Sequence, residues 1–368
     1  MRIAIITLLD EKNYGNRWQA YAMNSLLNEL KIETENIYFW ERNAPRKCLR
    51  ERIKRILPIK VAYVLHMFSV YEINNFSMLK RVIKFIRFNK KYMSSRLLLV
   101  NSFEDISSRL KLDYYDYFVT GSDQVWNPYY VANPIYFLQF AKAEKRLAFM
   151  ASFGCKEIPS DKFEQYKKWL MGMNYISVRE DDGADIVRNI TGKSVDVFFD
   201  PTLLLSKDNW KQIERKPKKV KLPDKYAVSF MFGNANKEIK EFCFKNNIEL
   251  IYLNNKKDKR LFSVDPAEML YIISHSAIVF TDSFHVMALS IKYNRQFYVF
   301  KREGFEYMFN RLESTLNRLQ LGQCIYKETE VLNLKPIEDM EYERINEVLE
   351  IEKNIFFEHV NNIVYMGN

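Results

Sequence analysis

The chain has 368 residues, 48% hydrophobic and 15% aromatic, enough for two sizeable cores and incompatible with a disordered polypeptide. No stretch approaches ~20 uninterrupted apolar residues, which excludes a conventional transmembrane helix. The net charge of +10 is concentrated in one place: Arg42 to Arg96 holds 15 Lys/Arg against two acids, and the remainder is slightly acidic.

In chain order, residues 2–9 form an apolar run suited to a fully buried parallel strand. Its resemblance to the h-region of a signal peptide ends at Asp10-Glu11-Lys12, with no small-residue cleavage site before it. Asn13-Tyr14-Gly15-Asn16 reads as a turn, and Trp18, Tyr21, Ala22, Ser25, Leu26 and Leu30 then recur at helical spacing. Gly15 lets backbone approach a ligand, and Asn13 and Asn16 tolerate left-handed geometry or donate amide hydrogens.

The basic stretch from 42 to 96 reads as amphipathic helices. Arg50, Arg52, Lys54 and Arg55 lie on the first, and Val61, Val64, Leu65 and Phe68 form an apolar stripe. Leu79, Val82, Ile83 and Ile86 form another, flanked by Lys80, Arg81, Lys84 and Arg87. Basic helices with this apolar content suit an anionic membrane surface better than nucleic acid, for which no motif is present.

From Tyr114 strands and helices alternate. Tyr117–Thr120 is a strand followed by the polar loop Gly121-Ser122-Asp123-Gln124-Val125-Trp126-Asn127-Pro128. Arg146 to Gly154 is a strand and turn that includes Ser152, and Lys162 to Met171 a helix. Tyr175–Val178 is a strand ending at Arg179-Glu180, Gly183 to Ile190 a helix, and 195–199 a strand closed by Asp200-Pro201-Thr202.

Lys207 to Lys225 contains no clear core element, so the domain boundary is placed there: an N-terminal Rossmann-like domain over 1–215 and a C-terminal one over 216–335. The helical tail, 336–368, is expected to pack back across the boundary. In the second series Tyr226–Phe232, Glu249–Leu253, 278–281 and 297–300 read as strands. Lys237–Lys245, a segment opened by Asp265-Pro266, Glu306–Leu321 and Tyr342–Glu358 read as helices. Ile278-Val279-Phe280-Thr281 runs into Asp282-Ser283-Phe284-His285 and then a buried helix, with Asp282 or Ser283 as N-cap. This series defines an α/β protein of two domains facing a cleft.

Ligands of such folds gather at the carboxyl ends of parallel strands, near helix N-termini. The residues there are Asn13, Gly15, Asn16, Gly121, Ser122, Asp123, Gln124, Ser152, Gly154, Arg179, Glu180, Asp200, Asp282, Ser283 and His285. An imidazole can move a proton near neutral pH, and a guanidinium can grip a phosphate or carboxylate. Cys48, Cys155, Cys243 and Cys324 show no metal-ligand spacing, so no structural zinc site is expected.

Five blocks in this order resemble the polysaccharide pyruvyl transferase family: Asn13–Asn16 with Gln19-Ala20, Gly121–Asn127, Ser177–Glu180, Asp200–Thr202 and Thr281–His285. The resemblance implies a fold similar to glycosyltransferase type B. It also implies transfer of pyruvate from phosphoenolpyruvate onto two sugar hydroxyls as a cyclic ketal. Arg179 would bind the anionic donor and His285 would protonate it, with Asp123, Glu180 or Asp282 accepting the hydroxyl proton.

Many members carry Arg where this chain has Ser283, and Gly often follows the His where this chain has Val286; either another cation, Lys301 or Arg302, replaces that Arg here, or the donor differs. The acceptor would be a galactose-type sugar on a polyprenyl diphosphate lipid. Membrane contact through Arg50, Arg52, Lys54, Arg55, Lys84 and Arg87 would hold the enzyme on the inner face of the cell membrane. Two rivals use the same scaffold: a glycosyltransferase with a nucleotide-sugar donor, and a non-catalytic membrane-surface glycan assembly protein.

Overall fold

In the computed structural model, residues 1–8, 12–41, 58–70, 76–129, 132–232, 237–302, 309–327 and 340–366 are described. The all-apolar run at the N-terminus forms β1 (Arg2–Ile6), whose Ile3, Ala4, Ile5 and Ile6 are fully buried. A strand with no polar face must be covered on both sides, and β1 lies inside a parallel sheet. The sheet also contains β2 (Glu33–Glu41), β3 (Ser95–Val100), β4 (Tyr117–Thr120), β5 (Arg146–Ala151), β6 (Tyr175–Val178) and β7 (Asp196–Val197). Its seven strands run in the order β3-β2-β1-β4-β5-β6-β7. Register pairs Ile5 with Asn36 of β2 and Val119 of β4. Because β1 sits between β2 and β4, the order reverses at β1/β4, the position where open α/β sheets bind ligands.

Helices connect these strands: α1 (Tyr14–Glu29), α2 (Ile59–Val70), α3 (Phe76–Tyr92), α4 (Phe163–Met171) and α5 (Asp181–Thr191). The expected turn at 13–16 is tighter than its sequence suggests. Asn13 is the N-cap of α1, its side chain accepting from Asn16 N–H at 3.3 Å, so Gly15 and Asn16 lie in the first helical turn.

The basic region is the crossover between β2 and β3. Arg50, Arg52, Lys54 and Arg55 lie outside the described residues, as do the side chains of Leu65 and Phe68. On α3 the stripe expected at Leu79, Val82, Ile83 and Ile86 is corrected: Met78, Arg81, Val82, Phe85 and Phe88 are buried, while Ile83 and Ile86 are exposed. Phe85 fixes the rotation by packing on Tyr14, with ring centroids 4.8 Å apart, and the Arg81 guanidinium lies 4.6 Å over the same tyrosine ring.

The second parallel sheet has the order β11-β10-β8-β9, from β8 (Tyr226–Phe230), β9 (Glu249–Leu253), β10 (Ile278–Thr281) and β11 (Gln296–Val299). With it go α6 (Lys237–Lys245), α7 (Pro266–Ser274), α8 (Phe284–Lys292), α9 (Asn310–Arg318) and α10 (Tyr342–Asn361). Asp265 and Glu268 close a capping box at the start of α7, and Pro266 occupies its first turn, as Asp265-Pro266 leads one to expect. Every residue of α8 is buried. Fully burying Val286, Met287, Leu289 and Ile291 stabilises the fold by roughly 1.5–3 kcal/mol each.

The chain divides into two compact units, Met1–Asn16 with Leu27–Val197, and Arg17–Leu26 with Phe198–Asn368. The segment 198–215, grouped by sequence with the first domain, belongs to the second unit. There Phe198 packs on Phe356 of α10 at 5.5 Å, and Glu352 accepts the Phe199 N–H. Lys207 to Lys225 does hold a core element: a helix over Lys207–Ile213 buries Trp210 and Ile213, and its cap Ser206 accepts from Asn209 N–H at 3.1 Å. The expected strand over 195–199 is only two residues long, since Phe198 and Phe199 leave the sheet for this second core.

Candidate functional site

In the first unit the motif residues gather at the carboxyl ends of β1, β4, β5 and β6. The loop after β4 turns sharply. Gly121 has φ +116°, and a Cβ there would lie 2.2 Å from the Phe149 carbonyl oxygen, so backbone packs where any side chain would sit. Asp123 follows with φ +65°. Its carbonyl accepts from Ser152 N–H at 3.0 Å, tying the β4 loop to the end of β5. Gly154, φ +62°, leaves room for the Gln124 amide, which accepts from Asn127 Nδ2 at 3.0 Å. Ser122 and Gln124 are buried in this knot, and Ser152 is fully buried beside them.

The side chain of Asp123 is the hub. It accepts from Asn16 Nδ2 and from Gln124 N–H, and its Oδ1 lies 3.4 Å from Arg179 Nη2. Arg179 Nη1 reaches Ser122 Oγ at 3.4 Å, and its Nε lies 3.5 Å from Glu180 Oε2. The other Glu180 oxygen accepts the N–H groups of Phe153 at 2.9 Å and Gly154 at 3.4 Å. One guanidinium thus lies between two carboxylates in a site nearly closed to water, where such pairing is needed to hold all three charges.

The Arg179 side chain is 1% exposed and faces both Asp123 and Glu180.

The second unit has its own strand-end cluster. Ser283 is the N-cap of α8, one of the two expected candidates, although its side chain makes no capping bond. Instead Ser283 N–H donates to Thr281 Oγ1 at 3.0 Å, and Thr281 Oγ1 donates to Phe230 O at 2.8 Å, knitting β10 to β8. Asp282 accepts from Phe232 N–H at 3.1 Å and from Arg302 Nε at 3.0 Å. The Arg302 guanidinium also lies 4.1 Å over the Phe232 ring. Arg302, just beyond β11, keeps a side-chain exposure of 24%. His285 is buried in the first turn of α8, its ring 5.4 Å from that of Phe284.

Carboxylate, guanidinium and imidazole are therefore collected at the ends of β10 and β11. Of the two cations weighed from sequence, Arg302 is the one bonded to Asp282. Phe232 was not foreseen as part of this cluster; its place just past the end of β8 was the available signal. Asp200 caps the short helix over Pro201–Leu204, accepting from Thr202 N–H at 2.9 Å and Thr202 Oγ1 at 2.7 Å, and is buried there. No described helix is long and apolar enough to cross a membrane.

Two parallel sheets with polar clusters at their carboxyl ends define an open α/β class of fold, whose ligand sites lie at the strand ends. Within that class, the family profile of the polysaccharide pyruvyl transferases matches residues 13–304, and the chain belongs to that family. No curated protein matches it. Among solved structures, the S. aureus MnaA–UDP co-structure aligns over 98% of this chain and 96% of its own, with 12% identity and a TM-score of 0.51. UDP-GlcNAc 2-epimerase from Methanocaldococcus jannaschii aligns over 86% and 93%, with 13% identity and a TM-score of 0.48. At 12% identity the likeness to the first of these is one of fold, the glycosyltransferase type B-like α/β fold that the family resemblance implies.

Proposed function

We propose that the protein transfers the enolpyruvate-derived group of phosphoenolpyruvate onto two hydroxyls of a galactose-type sugar on a lipid-linked oligosaccharide. The vinyl carbon takes up a proton, two carbon–oxygen bonds form at the ketal carbon, and the bond to phosphate breaks. Of the two protons leaving the sugar hydroxyls, one balances that on the new methyl group and the other leaves with phosphate. The observation that carries this reading is that Arg302, just after β11, bonds Asp282 at the end of β10, while His285 opens the helix that follows β10.

An imidazolium can protonate the methylene carbon. Arg302, partly exposed and held by Asp282, supplies the cation for the donor's phosphate and carboxylate. Asp282, bonded to Arg302 in the same cluster, is the carboxylate assigned to accept the hydroxyl proton. The reading calls for no redox cofactor and no metal.

The acceptor's lipid places the enzyme on the inner face of the cell membrane. The outer face of α3 supports this: Phe76 is 79% exposed, Ile83 and Ile86 are exposed, and Lys84 and Arg87 neighbour them. Apolar and basic side chains on one helical face suit anionic headgroups over an acyl boundary.

The test is incubation with phosphoenolpyruvate and a lipid-linked, galactose-terminated acceptor, reading inorganic phosphate and a product heavier by one pyruvate ketal. His285→Gln is expected to lower kcat by about 10²–10⁴-fold with the fold intact. Turnover like the wild type in that variant removes His285 from the chemistry, and no phosphate release by the wild type overturns the reaction.

A further inference from the structure

Beside the His285 cluster, a cavity of about 630 Å³ opens at the carboxyl ends of β8 and β9 in the second unit. Three lysines line it, Lys240 on α6 and Lys256 and Lys257 just after β9, and among the described residues no carboxylate does. Local structure builds this rim. Asn254 ends β9 in a left-handed conformation, φ 70°, which asparagine tolerates. Asn255 Oδ1 then accepts from Lys257 N–H at 2.9 Å, folding the lysine pair back over the strand end. Three ammonium groups at one strand end favour an anionic ligand there.

Part of the lining is aromatic. Tyr252 and Phe232 both line the cavity, and the Phe232 ring is 60% exposed. The Phe232 N–H is bonded to Asp282 and its ring lies under the Arg302 guanidinium. An exposed aromatic face next to amide groups and ammonium ions is suited to a ligand with an apolar sugar face, hydroxyls and a phosphate. Phe232, which lines the cavity, is also bonded through its N–H to Asp282 of the neighbouring strand-end cluster.

We infer that this cavity binds the phosphorylated end of the sugar acceptor: the lysines take the phosphate or diphosphate, and Phe232 takes the sugar ring. The inference rests on the transferase reading above and names the anionic part of that acceptor. Sugar diphosphates occur on isoprenoid lipids and on nucleotides, and the cavity is assigned to the lipid-linked kind.

Calorimetric titration tests it. The probes are galactose, inorganic phosphate, galactose 1-phosphate, UDP-galactose and a short-chain isoprenyl diphosphate galactoside, with phosphoenolpyruvate as a separate arm. Galactose 1-phosphate should bind more tightly than galactose or phosphate alone, and the isoprenyl compound more tightly than UDP-galactose. Lys256→Glu with Lys257→Glu should weaken both phosphorylated sugars by about tenfold or more, the loss of charge-assisted contacts. Phe232→Ala should weaken galactose 1-phosphate but not inorganic phosphate, and phosphoenolpyruvate binding should stay within about twofold in the lysine variant. Circular dichroism checks the fold of each variant.

Wild-type affinity in the lysine variant overturns the site, and tighter binding of UDP-galactose overturns the acceptor assignment. If phosphoenolpyruvate fails to bind the wild type while the sugar phosphates behave as expected, the transferase reaction and the acceptor role fall. The sugar-phosphate cavity itself would then stand.

Discussion

Replacing Arg179 with methionine isolates the electrostatics of the first strand-end cluster. Methionine keeps the stem of the side chain but leaves Asp123 and Glu180 buried with no cation between them. Removing one partner of a buried pair costs about 3–5 kcal/mol, because the remaining charge is uncompensated. The separations of 3.4 and 3.5 Å are at the long end for charge-assisted contacts, which puts the expected loss near about 3 kcal/mol.

Asp123→Asn removes one of the two stranded charges, so the double variant should recover part of the loss. We expect it to be more stable than the sum of the single variants by about 1–2 kcal/mol. Urea unfolding of all four proteins, followed by circular dichroism, measures this. Acidification should also lessen the defect of Arg179→Met, since protonating a stranded carboxylate removes the charge. A loss below about 0.5 kcal/mol, or strict additivity in the double variant, would refute the view that Arg179 holds these carboxylates.

Gly121→Ala should destabilise by more than about 2 kcal/mol, since its Cβ would strike the Phe149 carbonyl at φ +116°. Gly154→Ala should cost less because it meets only the Gln124 side chain, and thermal melts of the two variants should rank them in that order. Lys292 is buried, and burial lowers its pKa from 10.5 to about 8. The penalty of charging it in the fold is complete below pH 8 and disappears as pH rises toward 10.5. Lys292→Met should therefore gain up to about 3 kcal/mol at pH 7, with the advantage narrowing from pH 8 upward in paired urea titrations.

Charge reversal at Lys84 and Arg87, combined with Arg50, Arg52, Lys54 and Arg55, should reduce co-sedimentation with anionic vesicles. Unchanged sedimentation would remove the basic crossover from membrane contact.

Most strands carrying motif residues were legible because each is a short apolar run cut off by a turn signal. Tyr117–Thr120, Tyr175–Val178, Glu249–Leu253 and Ile278–Thr281 have the bounds their sequences suggest. β2 and β3 were not read. Glu33, Glu35 and Asn36 interrupt the apolar pattern of β2, and β3 is an edge strand within a basic stretch whose helical signal is stronger. On α3 the period was clear but its phase was not, because Leu79, Ile83 and Ile86 are as apolar as the residues that turn inward. Contact with Tyr14, far away in sequence, decides which side is buried.

The sequence by itself determined the class of fold and the chemical types at the strand ends, since both follow from local runs, turns and caps. Which charges neutralise one another was decided by tertiary structure. Arg179 meets Asp123 from 56 residues away, and Arg302 meets Asp282 from 20 residues away. A parallel sheet sets the ends of non-consecutive strands side by side, and burial at those ends makes an unpaired charge costly. Arg179 is consequently enclosed and Arg302 half open, a difference in accessibility that two arginine codons cannot express.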